Sequence, residues 1–317
     1  METRKIIKFG NSSYVVSIPK AWADENKLKK GDFIFLEKNG NGELVLIPKE
    51  KVDDEKGQEA TINVEDKDIK TIEQEIRATY LNSYNTINIV GDLSKKTNLI
   101  KKMLDSFIAL EIVEQTASKM VIKDFLNLKE ADVGNIINRM DVIVRSMFED
   151  VKELLNKGNK KIFDSIFEKD LDINKMHFLI RRVIKRGLTD KKLAKIINLK
   201  DNEVLDVWWL GFNIEHVGDD LKKIARIIAG NKSIDKKKKE IMEIYSILEN
   251  NYIDSMRAWY KKDKKTANKI PMQYFNITDR CERLYKKSKD MNIIKLGETI
   301  KILQNSIFQI SKIVINQ

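Results

Sequence analysis

Apolar residues alternate with polar ones over the first fifty positions and recur every three or four from about residue 129, so the chain passes from strand-like to helix-like periodicity. Lys5-Ile6-Ile7-Lys8-Phe9 alternates, Gly10-Asn11-Ser12-Ser13 turns, and Tyr14-Val15-Val16-Ser17-Ile18-Pro19 is β-branched and aromatic. A helical turn at Lys20 to Glu25, a turn at Leu28-Lys29-Lys30-Gly31-Asp32 and a strand Phe33-Ile34-Phe35-Leu36-Glu37 follow. Asn39-Gly40-Asn41-Gly42 is a hairpin signal before the return strand Leu44-Val45-Leu46-Ile47. A β-rich unit of about 50 residues buries little apolar area by itself, so dimerisation is expected of it.

The charged stretch Lys49 to Gln58 reads as a linker. Beyond it Thr61-Ile62-Asn63-Val64 predicts a strand, Asp68 to Leu81 a helix, Asn85 to Val90 a strand, and Ser94 to Ile108 a helix with a Ser N-cap. Leu110 to Gln115 and Lys119 to Asp124 alternate around Thr116-Ala117-Ser118, a hairpin pattern. From Lys129 onward Val207, Leu210, Ile214, Val217, Leu221, Ile224 and Ile228 form a seam at steps of three and four. Helices near 131–157, 160–189 and 201–229, then 236–263, 265–288 and 290–316, make two sets of three, with breaks at Gly230-Asn231 and Asp290-Met291-Asn292. The expected fold is multidomain: a β-rich dimerisation domain over 1–50, a small α/β subdomain over 59–128 and an all-α bundle over 129–317.

Composition narrows the function classes. Only three prolines and 13 glycines among 317 residues favour long helices over a loop-rich β fold, and 42% hydrophobic with 34% charged residues describes a globular chain. The formal charge of +11 points to a polyanionic partner such as DNA, although mixed runs such as Lys236 to Glu240 read as solvated helix faces. A single cysteine, Cys281, excludes an internal disulfide and a cysteine-based zinc cluster. With no signal-like segment and no apolar stretch of membrane-spanning length, a cytoplasmic location is expected.

Thr3 to Lys20 carries four cations and no acid, and Asn11, Ser12 and Ser13 supply short donors at the turn, a set suited to phosphate contact. On charge alone an ordinary basic hairpin fits equally well. The order of features adds more: the basic first strand with Phe9-Gly10-Asn11-Ser12, then Val15-Val16-Ser17-Ile18-Pro19-Lys20, then Leu28-Lys29-Lys30-Gly31-Asp32 closely resembles the SpoVT/AbrB family of swapped-hairpin DNA-binding domains over about Glu2 to Lys49. That resemblance implies an intertwined homodimer, with Arg4, Lys5, Lys8, Asn11, Ser12, Ser13 and Lys20 where the family meets the duplex. Many members are antitoxins, so a toxin partner is a rival reading, against which the long C-terminal region argues.

Glu215 and Asp219 lie four apart on one helix face, which continues the stripe Leu205, Trp208, Phe212. Like charges at that spacing repel by about 0.2–0.5 kcal/mol, and a bound cation would remove the repulsion. Lysines at 222 and 223 leave a solvated acidic face as the bland alternative. Helix 160–189 offers Asp170, Asn174 and His177 on the stripe of Phe163, Ile166, Ile173, Ile180 and Ile184, as ligands or as a hydrogen-bonded core cluster. His216 reads as surface. Glu215-His216-Val217-Gly218-Asp219 resembles the E-x-x-x-D signature of PhoU proteins, regulators of phosphate uptake, and Asp170-Leu171-Asp172-Ile173-Asn174 resembles the acidic stretch on the preceding helix. The resemblance covers about Ala131 to the end and implies a PhoU-like body of two three-helix repeats. It also implies one metal site on Asp170, Asn174, Glu215 and Asp219 for iron, zinc or another divalent cation, and a partner in a phosphate transporter. In the last helix Gln304-Asn305-Ser306-Ile307-Phe308 stands where two more carboxylates belong, so a second metal site is not expected.

A basic DNA-binding head on a PhoU-like body resembles archaeal phosphate-uptake regulators. The expected function is therefore a DNA-binding transcriptional regulator of phosphate uptake or homeostasis, acting as a homodimer or higher oligomer. Alternatively, the body docks on a phosphate ABC transporter ATPase and DNA binding is secondary. An enzyme is disfavoured, because no nucleophile has a base beside it, no Gly-rich loop cradles phosphate and only two histidines occur.

Overall fold

The computed structural model describes residues 3–38, 42–48, 57–197, 203–229, 231–286 and 288–317. It divides into two compact units, Met1–Gly57 and Gln58–Gln317. The hairpin signal at Asn39 to Asn41, most of the charged linker, the first residues expected of helix 201–229 and the break at Gly230 lie outside the described residues.

Unit 1 contains two separate antiparallel ribbons with a short helix between them. Strands β1 (Ile7–Phe9) and β2 (Ser13–Val15) pair Ile7 with Val15 and Phe9 with Ser13 around a turn in which Gly10 takes φ +66°, a conformation suited to glycine. These strands are shorter than the alternation predicts. Each has a single neighbour in its sheet, and Pro19 ends the second apolar run without an N–H to extend a ladder. Helix α1 (Lys20–Glu25) leads to strands β3 (Ile34–Lys38) and β4 (Leu44–Pro48), paired from Ile34 with Pro48 to Lys38 with Leu44.

Unit 2 opens with a four-stranded sheet built from β5 (Glu59–Asn63), β6 (Thr86–Val90), β7 (Leu110–Gln115) and β8 (Lys119–Asp124), in the order β5-β6-β8-β7. Only β5 and β6 run parallel, and helix α2 (Ile69–Leu81) is the crossover between them. Ile72, Ile76 and Tyr80, four apart on α2, cover the buried Ile62, Ile87, Ile89, Met120 and Ile122. Helix α3 (Thr97–Leu104) adds Ile100 and Leu104 to that core. It is shorter than the expected helix from Ser94 to Ile108, and Ser94 does not cap it. The Asp92 carboxylate accepts from the Ser94 N–H and holds an Asx turn there, so the helix starts only after Lys96.

The remainder is helical: α4 (Val133–Lys157), α5 (Lys160–Thr189), a short α6 (Lys191–Ile196), α7 (Val204–Ile228), a single turn α8 (Lys232–Asp235), α9 (Lys238–Lys261), a second turn α10 (Lys264–Ala267), α11 (Ile270–Tyr285) and α12 (Met291–Asn316). Side chains fix several boundaries. Asp132, Asn159 and Asp290 cap the starts of α4, α5 and α12, and Gly158 closes α4 at φ +58°. The helix expected over 265–288 is broken into α10 and α11 because Pro271, lacking an N–H, belongs in a first turn. Helix α7 packs on α4, α5 and α12, and α12 packs in turn on α9 and α11, so α7 and α12 join the two sets of helices. Six of the seven seam residues of α7, Leu210 to Ile228, are buried, and Val207 is half-buried against the same core.

Two glycines let α5 come close to α7. A Cβ at Gly218 would stand 2.9 Å from Ile173 Cδ1, and one at Gly211 would stand 3.3 Å from Ile180 Cδ1. The sheet and the helical body are further joined by a buried ion pair of Arg182 on α5 with Asp124 at the end of β8, both side chains 2% exposed. The same guanidinium donates to Ser83 Oγ at 3.2 Å and lies over the Tyr80 ring at 4.5 Å.

Candidate functional site

Two surfaces gather the residues singled out by sequence. In unit 1, Arg4, Lys5, Lys8, Asn11, Ser12, Ser13 and Lys20 are all exposed, Arg4 and Lys5 in the segment leading into β1, the next four along the ribbon and its turn, and Lys20 at the start of α1. Lys8 stands opposite Tyr14, next to the turn that carries Asn11 and Ser12. Many of the unit's large apolar side chains are exposed as well, Ile6, Ile7, Phe9 and Tyr14 at 62–72%, Phe33 at 78%, Leu36 at 66% and Leu44 at 68%, and others such as Trp22, Ile34 and Val45 are half-buried. Among the described residues of the unit only Pro48 is buried. One copy of this sequence therefore forms its ribbons without enclosing a core.

The second surface lies where α5 meets α7. Asp170 is 4% exposed and His177 6%, both on the apolar stripe of α5, as their spacing with Ile166, Ile173 and Ile180 requires. On α7 the facing groups are Glu215 and Asp219, with side chains 15% and 36% exposed. The structure thus brings Asp170, Asn174, Glu215 and Asp219 to one helix interface, but a lysine stands among them. Lys222 Nζ donates to Asp170 Oδ2 at 2.5 Å and to Asp219 Oδ1 at 2.7 Å. Asn174 Nδ2 donates to the same Asp170 oxygen at 3.3 Å. Glu215 turns towards two imidazoles, with His216 Nδ1 2.8 Å from Oε2 and His177 Nδ1 3.8 Å from Oε1. His177 Nε2 is buried with no hydrogen-bond partner.

The charges respond accordingly. Burial pushes the Asp170 carboxyl above its ordinary value, and Lys222 only partly offsets this. Burial also acts upward on Asp219, but the Lys222 hydrogen bond and charge, with Lys223, outweigh it and hold that carboxyl below its ordinary value. Glu215 is likewise held low, His177 overcoming the cost of burial. Lys222 is held charged above its ordinary value, because the two aspartates outweigh its own desolvation.

This donor set does not fit a divalent ion. Its central cation is an ammonium of the chain itself, and among the described residues no group of three or more His, Cys, Asp or Glu side chains is arranged to hold a metal. Lys222 is the residue whose role sequence reasoning missed. Its spacing, three residues after Asp219, places it on the same face of α7, but the inward turn to Asp170 is set by the approach of α5 and has no local signal. In the second set of helices the buried Gln304 accepts from Asn251 Nδ2 at 3.1 Å, a neutral amide pair between α9 and α12. Along α7, Trp208, Trp209, Phe212 and His216 form a ladder of ring contacts with centroids 4.0–5.9 Å apart, its outer edge marked by Leu205 at 73% exposure and Trp208 at 37%.

Two family models match the chain. Residues 7–54 match the antidote-toxin recognition family MazE, a bacterial antitoxin, and residues 137–228 match the PhoU domain. The first match takes in β1 through β4, and the second runs from within α4 to the last residue of α7. The chain is therefore similar to a MazE/AbrB-like domain over its N-terminal residues and to a PhoU domain over 137–228, and both of these families are non-catalytic and regulatory. No curated protein and no solved structure matches it. Among the described residues no helix is long and apolar enough to cross a membrane.

Proposed function

We propose that this protein is a DNA-binding transcriptional regulator of phosphate uptake or phosphate homeostasis, working as a homodimer through unit 1. The observation that carries the reading is the combination in unit 1 of an exposed cationic ribbon and an unenclosed set of large apolar side chains. Fully covering one such side chain is worth about 1.5–3 kcal/mol, so a second copy interleaved with the first removes a large unfavourable exposure. Doubling the unit also doubles Arg4, Lys5, Lys8 and Lys20, which gives the pair eight cations with the polar turn residues Asn11, Ser12 and Ser13 between them. The MazE/AbrB-like match supports this role of the head, and the PhoU match supports the phosphate connection of the body.

Binding to duplex DNA over a series of salt concentrations tests the proposal. Each phosphate contact steepens the dependence of log K on log salt by about 0.9, so Arg4→Ala with Lys8→Ala, four cations per dimer, flattens the slope by roughly 3–4 and weakens all sequences alike. An unchanged slope and affinity would overturn the assignment of this surface. The accessory reading draws on the exposed Leu205 and Trp208 edge of α7, a candidate docking face for a transporter ATPase. Leu205→Ser with Trp208→Ser would then abolish capture of that ATPase while leaving DNA affinity intact.

A further inference from the structure

We propose that Lys222 is a built-in cation that neutralises Asp170 and Asp219 and clamps α5 to α7, the job a metal ion would otherwise do. Three observations support it. The ammonium reaches one oxygen of each aspartate, at 2.5 and 2.7 Å, and so bridges carboxylates from two helices. It does so in an enclosed place, its side chain 16% and that of Asp170 6% exposed, where an ion pair is weakly screened by solvent. The other donors expected of a metal site are committed elsewhere, Glu215 to His216 and His177, and Asn174 to Asp170 through its N–H group.

The geometry explains why an ammonium serves here. With Gly218 holding α5 close, the two aspartates come within reach of one long side chain rising from the next turn of α7. A divalent ion would have to displace an ammonium already bound by two carboxylates and covalently held in place, which sets a high effective concentration against it. The α5–α7 joint is on this account permanently closed by the chain's own charge, and its closure does not depend on metal supply.

The test uses the full chain dialysed against EDTA and then against excess Mn²⁺, Zn²⁺ or Fe³⁺, followed by metal analysis and thermal denaturation. The wild type should retain no stoichiometric metal and melt at the same temperature under every condition. Lys222→Met keeps the aliphatic stem and removes the charge, and it should lower the melting temperature by roughly 4–8 °C. Adding Asp170→Asn to that variant should recover part of the loss, which a purely space-filling role for Lys222 would not produce. About one metal per wild-type chain, lost on Asp170→Asn, would overturn the proposal, as would Lys222→Met melting with the wild type. If Lys222→Met does not fold, wild-type metal content and the charge-preserving Lys222→Arg, expected to fold and remain metal-free, still decide it.

Discussion

Replacing Arg182 by methionine removes one charge from an ion pair that water scarcely reaches. Methionine keeps an unbranched apolar stem but removes the guanidinium that lies over the Tyr80 ring and pairs with Asp124, so the loss falls on electrostatics more than on packing. With both side chains 2% exposed, the remaining Asp124 carboxylate is left buried without its countercharge. Breaking such a pair from one side costs about 3–5 kcal/mol. In a cooperative unit the size of unit 2, each kcal/mol lowers the melting temperature by roughly 2–4 °C, so a drop of about 10 °C is expected by circular dichroism. Amide exchange should locate the weakness: protection should fall in β8 and α2, the elements that Arg182 ties to α5, more than in α12. Asp124→Asn added to Arg182→Met should return part of the stability, since it is the stranded charge that costs most. Melting of Arg182→Met within about 1 °C of the wild type would refute the reasoning, and with it the view that this pair welds the sheet to the helical body.

Two further outcomes follow from the α5–α7 interface. Gly218→Val forces a branched side chain against Ile173, where even a bare Cβ would stand at 2.9 Å, and denaturant unfolding should show a loss of about 1–3 kcal/mol. Gly218→Ala should cost less, because alanine's helix propensity offsets about 1 kcal/mol of the crowding. The acid side of the stability profile should depend on Glu215. Its folded-state carboxyl lies below the ordinary 4.5, so its contribution is complete above that pH and is lost as pH falls through the lowered value. Asp170, raised by burial, acts with the opposite sign. Glu215→Gln should therefore flatten the decline in melting temperature below about pH 4.5, and a decline as steep as that of the wild type would contradict the His177–Glu215 pairing.

Much of this architecture is legible in the sequence because burial enforces periodicity. The α7 seam from Leu210 to Ile228, the helix ending at Leu81 and the β7–β8 hairpin all follow from spacing alone. The misses arise where a local hydrogen bond or a distant neighbour decides. Asp92 takes the Ser94 N–H and shortens α3, and Pro271 splits a helix whose apolar pattern runs on unbroken. The register shift between Ile112 and Glu114 in β7 leaves no mark in an alternation that tolerates one extra residue. At the candidate site, helical spacing puts Asp170 and Asn174 on one face of α5 and Glu215 and Asp219 on one face of α7, and these faces meet in the structure. Spacing could not reveal that Lys222, which reads as a solvated neighbour, folds inward, because that depends on how closely α5 approaches. Likewise Arg182 sits among other basic residues of α5, and nothing local distinguishes the one that meets Asp124.

The central claim is that two copies of unit 1 complete each other and present their cations to DNA. Sedimentation equilibrium of the full chain, alone and with a short duplex at low salt, tests it most directly. The account requires a dimer that stays intact at high salt and two chains per bound duplex at low salt. A chain that remains monomeric, or a dimer that leaves the duplex unbound at low salt, would contradict it.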